Sequence, residues 1–162
     1  MKSDRVPGGG IITMSGARIL LVEDDEVLRG LVERNLSQRG HEVSLATDVE
    51  SALMQLRTRE FDLVLLDINL PDYTGWDVLR VAQQEGRFSS AVREQCAGKL
   101  PVVILSAVRV SPRRLAEFHP LAYLPKPFPM DAVLRLAADA ALRRDGKALP
   151  EHVWDSEEKS NA

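Results

Sequence analysis

The chain has 162 residues, which is enough for one ordinary domain and too few for a large second one. Its 21 basic and 24 acidic residues give a net charge of −3, so no overall positive field favours direct binding to nucleic acid or to an anionic membrane. A single cysteine, Cys96, excludes an internal disulfide and a cysteine-based metal cage.

Residues 1–16 are interpreted as a flexible leader, because Pro7 and the three glycines after it do not favour a packed element. No apolar core of a secretory signal follows the charged start, and Met14 offers an alternative translation start. The apolar runs elsewhere are far shorter than the ~20 residues needed to cross a bilayer. We therefore expect a cytoplasmic protein without membrane insertion.

Strand-like and helix-like patterns alternate through the body of the chain. Residues 18–22 form a short apolar run, and apolar residues then recur at helical spacing until Gly40, a candidate C-cap. Residues 41–46 alternate as a strand does, and Thr47 with Glu50 fits a capping box before the next helix. The first part of the chain therefore predicts two strand–helix units.

A third apolar strand over residues 61–66 leads through a loop into a helix that contains Trp76. A fourth strand over residues 101–105 is followed by Ser111, a candidate N-cap, with proline at the first helical position. These patterns predict two further strand–helix units.

A fifth, shorter strand over residues 121–124 precedes a final helix that begins near Pro129. Five such alternations predict an α/β fold, a doubly wound five-stranded parallel sheet with five helices on its two faces. We place this domain at residues 17–144. The remaining residues, 145–162, form a polar C-terminal tail that is too short for a DNA-binding or kinase module.

Polar side chains follow four of the predicted strands. Glu23 and Asp24 come after the first strand, Asp67 after the third, Ser106 after the fourth and Lys126 after the fifth. Each alone has a simpler interpretation as a helix cap, a turn residue or a solvated charge. Because the carboxyl ends of parallel strands lie along one edge of a sheet, we expect the set to converge on one site.

Carboxylates that converge in this way repel one another unless a cation neutralises them. Magnesium prefers oxygen ligands and typically takes one or two carboxylates together with phosphate oxygens, which suits Asp24 and Asp67. A lysine and a hydroxyl nearby could hold phosphoryl oxygens and leave a carboxylate as nucleophile. The residues therefore favour acyl-phosphate chemistry with Mg²⁺ as cofactor.

Four segments, in this order, resemble the receiver domain of bacterial two-component response regulators. They are ILLVEDD at 19–25, DLVLLDINLP at 62–71 with Gly75, VVILSA at 102–107 and YLPKPF at 123–128. The resemblance covers about residues 17–143 and implies a flavodoxin-like strand order of 2-1-3-4-5.

The resemblance also implies roles for the acidic residues. Asp67 would accept a phosphoryl group from the phosphohistidine of a histidine kinase. Asp24, Asp67 and the backbone carbonyl of Asn69 would bind Mg²⁺ directly, and Glu23 would bind it through a water. Asp25, one place later than the metal pair, is expected to cap the following helix.

The remaining roles concern phosphoryl binding and switching. Ser106 and Lys126 would contact phosphoryl oxygens, and Tyr123 would rotate inward when Ser106 is drawn toward them. The peptide bond before Pro127 would be cis, an isomer that costs little only before proline. The surface that changes would then bind an effector protein, and related proteins also form homodimers through it.

Two departures from the family pattern stand out. The interval from Asp67 to Ser106 is longer than usual, and the excess at residues 86–99 is either a tolerated insertion or a partner-selecting surface. The fourth helix should be short and end before Phe118, because Pro120 follows closely.

Three functions remain open from the sequence. The first is a single-domain response regulator that switches its binding to an effector, and the second is a phosphorelay shuttle to a histidine phosphotransfer protein. The third, a phosphorylation-independent adaptor, would not need the intact set of acidic, hydroxyl and lysine residues. We do not expect an enzyme with multiple turnover, because no second nucleophile or base accompanies Asp67, although the protein would assist its own phosphorylation and dephosphorylation.

Overall fold

The computed structural model describes residues 15–85 and 101–146. The predicted leader up to residue 14, the insertion at 86–99 and the tail beyond residue 146 lie outside the described residues. Ten elements follow in chain order: β1 (Arg18–Val22), α1 (Glu26–Gln38), β2 (Glu42–Ala46), α2 (Val49–Thr58), β3 (Leu63–Asp67), α3 (Gly75–Gln84), β4 (Val102–Ser106), α4 (Pro112–Phe118), β5 (Ala122–Pro125) and α5 (Met130–Arg144).

The five strands form one parallel sheet in the order β2-β1-β3-β4-β5. The chain runs outward from β1 to β2 and then returns past β1 to β3, so the strand order reverses between β1 and β3. The loops that leave two such strands diverge and open a crevice at the carboxyl ends. The predicted α/β architecture and strand order are both confirmed.

The core has two layers, one on each face of the sheet. In β1, Leu20 and Val22 belong to one layer and Ile19 and Leu21 to the other, and β3 and β4 alternate in the same way. Helices α2, α3 and α4 contribute to the first layer, and α1 and α5 to the second. Because helices cover both faces, β3 and β4 are buried along their whole length.

Several helix boundaries were predicted correctly. Asp25 is the N-cap of α1, and Gly40 follows the end of that helix with a φ of 83°, a backbone conformation that glycine adopts readily. Ser111 caps α4, with Pro112 in the first turn. Helix α4 is short, as predicted, but it includes Phe118.

The capping box predicted for α2 is wrong by one residue. The N-cap is Asp48, not Thr47: its carboxylate accepts the Ser51 N–H at 2.7 Å, and Ser51 Oγ accepts the Asp48 N–H at 3.3 Å. A carboxylate is a strong acceptor for the free N–H groups of a helix start, so Asp48 competes successfully with the neighbouring threonine. Glu50 takes no part in the box.

The predicted strand ends differ from the structure by one or two residues. The third, fourth and fifth strands begin after Phe61, Pro101 and Leu121, because pairing with the neighbouring strand sets the boundary and apolar patterning does not reveal it. Gly16, the last residue of the predicted leader, contacts the domain through its carbonyl, which accepts a hydrogen bond from Arg144 at 3.0 Å.

No helix in the described part of the chain is long and apolar enough to span a bilayer.

Candidate functional site

The carboxyl ends of four strands bring the predicted polar side chains together. Glu23 and Asp24 follow β1, Asp67 ends β3, Ser106 ends β4 and Lys126 follows β5. Glu23, Asp67 and Ser106 are only 1%, 3% and 0% exposed, whereas Asp24 is exposed to solvent. Because buried polar groups need partners, the contacts of these side chains define the site.

Three carboxylates form a cluster at this edge of the sheet. Glu23, Asp24 and Asp67 each contribute an oxygen, and these three atoms lie within 4.8 Å of one another. The Lys126 ammonium donates to Glu23 Oε2 at 2.7 Å and to Asp67 Oδ2 at 3.1 Å. When all three acids are ionised, this ammonium balances one charge and leaves two that a divalent cation could neutralise.

The titration of Glu23 and Lys126 reflects this crowding. Burial raises the pKa of Glu23 to about 7, and the charge of Asp67 acts in the same direction, whereas the hydrogen bond from Lys126 opposes both. Burial acts to lower the pKa of Lys126, but its contacts with Glu23 and Asp67 outweigh burial and raise that pKa above its ordinary value. Lys126 therefore stays charged at neutral pH, while Glu23 is poised to take up a proton.

The donor set fits a hard divalent cation. All three clustered ligands are carboxylate oxygens, the type of ligand that Mg²⁺ prefers, and Mg²⁺ needs only a few protein ligands because it keeps several waters. Asn69, predicted to add its backbone carbonyl, lies in the loop after β3, and its N–H donates to Asp67 Oδ1 at 3.0 Å. The residues present therefore match the predicted cofactor.

The loop after β3 folds back beside Asp67. Asn69 and Thr74 pair as an isolated antiparallel bridge, and Gly75 donates its N–H to the Ile68 carbonyl at 2.8 Å. A Cβ atom on Gly75 would press against the backbone carbonyl oxygen of Asp67 and would lie 3.0 Å from Ile68 Cα. Glycine at this position allows α3 to start directly against the backbone of Asp67.

The hydroxyl groups of Ser106 and Tyr123 share one backbone partner. Ser106 Oγ donates to the Val108 carbonyl at 2.8 Å and accepts the Val108 N–H at 3.2 Å. The Tyr123 hydroxyl donates to the same carbonyl at 3.2 Å. In this structure both side chains therefore hold the start of the segment that leads to α4.

The backbone on either side of Lys126 fixes where its side chain begins. Its N–H donates to the Ser106 carbonyl at 2.8 Å, which extends the pairing of β4 with β5 by one step. The peptide bond from Lys126 to Pro127 is cis. These contacts place Lys126 beside the end of β4, so that its side chain reaches the acids after β1 and β3.

Two residues that the sequence did not single out bind the backbone of other segments. Arg29 in α1 donates from Nη1 to the backbone carbonyls of Glu23 at 3.1 Å and Asp24 at 3.2 Å. Asp72, in the loop after β3, accepts backbone N–H groups at the start of α2. Both looked like ordinary surface charges in the sequence, because their partners are backbone atoms that no residue pattern marks.

A family model and several curated proteins match most of this chain. The family model described as the response regulator receiver domain matches residues 19–138. The response regulator protein PmrA of Pseudomonas aeruginosa is 36% identical over 138 residues, which cover 84% of this chain and 58% of that protein. The chain spans about half the length of the curated relatives it matches.

Solved structures show the same fold. A CheY-like receiver domain protein from Methanospirillum hungatei matches with a TM-score of 0.64 and 23% identity, over 82% of this chain and 99% of that one. The receiver domain of a sensor histidine kinase from Pseudomonas aeruginosa matches with a TM-score of 0.58 and 26% identity, over 78% and 98% of the two chains. That second structure is described with a magnesium ion coordinated in its active-site cleft.

Proposed function

We propose, since this chain belongs to the response regulator receiver domain family of two-component systems, that Asp67 is its phosphoacceptor and that a histidine kinase supplies the phosphoryl group. The observation that carries the proposal is the position of Asp67 at the end of β3, inside a three-carboxylate cluster and bound to Lys126. A nearly buried carboxylate between an ammonium and two other acids is suited to accept an anionic group once a cation balances the cluster.

The proposed step is a displacement at phosphorus. A carboxylate oxygen of Asp67 forms a bond to phosphorus while the bond from phosphorus to the imidazole nitrogen of the donor breaks, and the electron pair of that bond leaves with the imidazole. Lys126 contacts Asp67 Oδ2 at 3.1 Å, so its ammonium is close enough to pair with an oxygen of the incoming phosphoryl group.

Mg²⁺ is the proposed cofactor, and Glu23, Asp24, Asp67 and the carbonyl of Asn69 are the residues that would hold it. When bound, it supplies positive charge for the phosphoryl oxygens. The exposed carboxylate of Asp24 gives the cluster an open side toward solvent, while Arg29 holds the backbone of Glu23 and Asp24 in place.

Phosphorylation would be read out through Ser106 and Tyr123. If the Ser106 hydroxyl turns to donate to a phosphoryl oxygen, it gives up the hydrogen bond that it donates to the Val108 carbonyl. The Tyr123 hydroxyl then bonds that carbonyl until its ring makes the predicted inward rotation. The segment before α4 then changes partners, and the phosphoryl group biases it by its different contacts in the two states. Exposed apolar side chains at Val108 and Leu121 supply surface there for an effector protein.

The remaining sequence predictions stay predictions. They are a cytoplasmic location, formation of a homodimer and no multiple-turnover activity. Because the matches cover only 40–58% of these curated relatives, the outputs in their names are not assigned to this chain.

Intact-mass spectrometry after incubation with acetyl phosphate tests the proposal. We expect the wild type to gain one phosphoryl group of ~80 Da in Mg²⁺ but not in excess EDTA. Asp67→Ala should gain none, whereas Asp25→Ala, which changes a neighbouring acid outside the cluster, should still be modified. No gain in the wild type, under conditions that modify a control receiver, would leave only the adaptor function.

A further inference from the structure

Asp72 lies at the tip of the loop after β3, yet its contacts are with another element. Its two carboxylate oxygens accept the Val49 N–H at 3.0 and 3.1 Å, and Oδ2 accepts the Glu50 N–H at 3.3 Å. Oδ1 also accepts the N–H of Tyr73 at 2.9 Å. The side chain is therefore a bridge from this loop to the first turn of α2.

The contacts have a clear physical basis. The first N–H groups of a helix have no partner within the helix, and they attract negative charge. Asp48, the local cap of α2, accepts the N–H of Ser51, and Asp72 accepts those of Val49 and Glu50. Helix α2 thus has two carboxylates at its start, and one of them comes from 23 residues away.

Asp72 is held in its ionised form by the same contacts. Desolvation acts to raise its pKa, but the backbone N–H groups of Val49, Tyr73 and Glu50 lower that pKa overall. Both oxygens are already engaged by backbone donors, and Asp72 is not a member of the three-carboxylate cluster. It is placed to act through the loop and not as a ligand.

The loop after β3 connects Asp72 to the carboxylate cluster through a short series of hydrogen-bonded residues. Asp72 lies between Asn69 and Thr74, the two residues of the antiparallel bridge that closes the loop. At the near side of that bridge, the Asn69 N–H donates to Asp67 Oδ1. At the far side, Asp77 accepts the N–H and the hydroxyl of Thr74, each at 3.1 Å. A tip fixed to α2 therefore limits how far the peptide of Asn69 can move.

We propose that Asp72 is a positioning residue for the metal site: by fastening the loop to α2, it fixes the Asn69 backbone next to Asp67 and so increases the affinity for Mg²⁺. The inference rests on the proposed function, because it assumes that the carboxylate cluster binds Mg²⁺. Some groups do not touch the metal but orient one of its ligands, and their removal typically lowers the metal affinity 10- to 100-fold.

Calorimetric titration of the metal-free protein with Mg²⁺ tests this role in a set of matched variants. Asp72→Ala should raise the Kd by on the order of tenfold. Asp72→Asn keeps one acceptor oxygen, which can accept only part of these N–H groups, so its Kd should lie between those of the wild type and Asp72→Ala. Asp48→Ala removes the other carboxylate at the start of the same helix without touching the loop, so it should lower the midpoint of thermal unfolding and leave the Kd unchanged.

The possible results separate the alternatives. A wild-type Kd for Asp72→Ala would overturn the positioning role. If Asp48→Ala lowers the affinity for Mg²⁺ as much as Asp72→Ala does, the effect comes from a loosened helix. If Asp72→Asn lowers that affinity as much as Asp72→Ala does, the effect comes from the lost charge. Either result overturns the inference. If Asp72→Ala does not fold, Asp72→Ser, whose hydroxyl is too short to make all of these contacts, replaces it with the same expectation.

The inference and the proposed function fail in different ways. Absence of Mg²⁺ binding by the wild type would contradict the proposed cofactor and the inference together. Normal binding by the wild type with no difference in Asp72→Ala would contradict the inference alone.

Discussion

Glu23 is the buried member of the pair of acids after β1, and its environment predicts an unusual pH dependence. Its pKa is raised from 4.5 to about 7, chiefly by burial. Between these two values the folded protein holds a proton that the unfolded chain has released. The contribution of Glu23 to the free energy of unfolding should therefore fall as the pH rises through this window, in the absence of metal.

Urea denaturation in EDTA from pH 5 to pH 8 measures this effect. As the pH rises, the wild type should lose stability relative to Glu23→Gln, which carries no titrating group at that position. The comparison cancels the opposite contribution of His41, whose pKa is lowered by burial. Glu26→Gln, an exposed substitution in the first turn of α1, is the control and should keep the wild-type slope. An unchanged slope in Glu23→Gln would contradict the assignment.

At this scale the sequence identified the side chains that carry the chemistry and the local helix caps Asp25 and Ser111, but it missed two side chains that bind the backbone of other segments. Asp67, Ser106 and Lys126 could be found because each directly follows or ends an apolar strand, and strand ends of a parallel sheet meet at one edge. Asp72 and Arg29 bind N–H and carbonyl groups of other segments, and residue types do not reveal such partners.

The junction of β3 with α3 has little tolerance for added volume. A Cβ atom at Gly75 would overlap the backbone carbonyl oxygen of Asp67, so Gly75→Ala must displace either the helix start or the predicted phosphoacceptor. We expect it to lower the free energy of unfolding by about 1–3 kcal/mol, the usual cost of overpacking. It should also slow modification of Asp67 by acetyl phosphate.

Gly30, in the middle of α1, is a matched control for this substitution. A Cβ atom there would meet nothing within 4 Å, so Gly30→Ala should raise the free energy of unfolding by about 0.5–1 kcal/mol through helix propensity. Urea titrations and modification rates of the two variants give the comparison. Equal stability of Gly75→Ala and the wild type would show that the junction can adjust without cost.

Elements were predictable from apolar spacing, but spacing alone predicted a cap only where a single candidate residue preceded the helix; the cap Asp25, adjacent to Asp24, was predicted from the family resemblance. Ser111 before Pro112 predicted the start of α4 correctly. At the start of α2, Thr47 and Asp48 are adjacent candidates, and the choice depends on which of them has a strong acceptor in register with Ser51. The second carboxylate at that helix, Asp72, comes from the tertiary structure and has no local signal.

The whole molecule creates the site, because the clustered acids come from strands that are distant in the chain. Glu23 and Asp24 follow β1, and Asp67 ends β3, so the unfolded chain does not hold these carboxylates together. A cation that binds only the folded form stabilises it by mass action, by about 2.7 kcal/mol at 100 times the Kd. Mg²⁺ should therefore raise the midpoint of thermal unfolding.

Thermal unfolding with increasing Mg²⁺, at constant ionic strength, checks this expectation. Asp24→Ala removes the exposed acid of the cluster while the buried contacts of Lys126 remain, so its midpoint should respond much less. A similar rise in this variant and in the wild type would place the stabilising ions elsewhere on the molecule.

The architecture of the domain was predictable, because alternating strand and helix patterns allow few arrangements in a parallel sheet. The segment at 86–99 lies outside the described residues, so its role as a tolerated insertion or a partner surface stays open. Strand limits depend on pairing between β3, β4 and β5, and that information is absent from any single segment.

Mapping the phosphoryl group to one side chain is the most direct test of the central claim. After reaction with acetyl phosphate and Mg²⁺, borohydride reduces an aspartyl phosphate to homoserine, and peptide mass spectrometry then locates that residue. Homoserine at position 67 in the wild type, and at no position in Asp67→Ala, is the predicted result. Homoserine at position 24, 25 or 72 in the wild type would contradict the assignment of Asp67 as the phosphoacceptor.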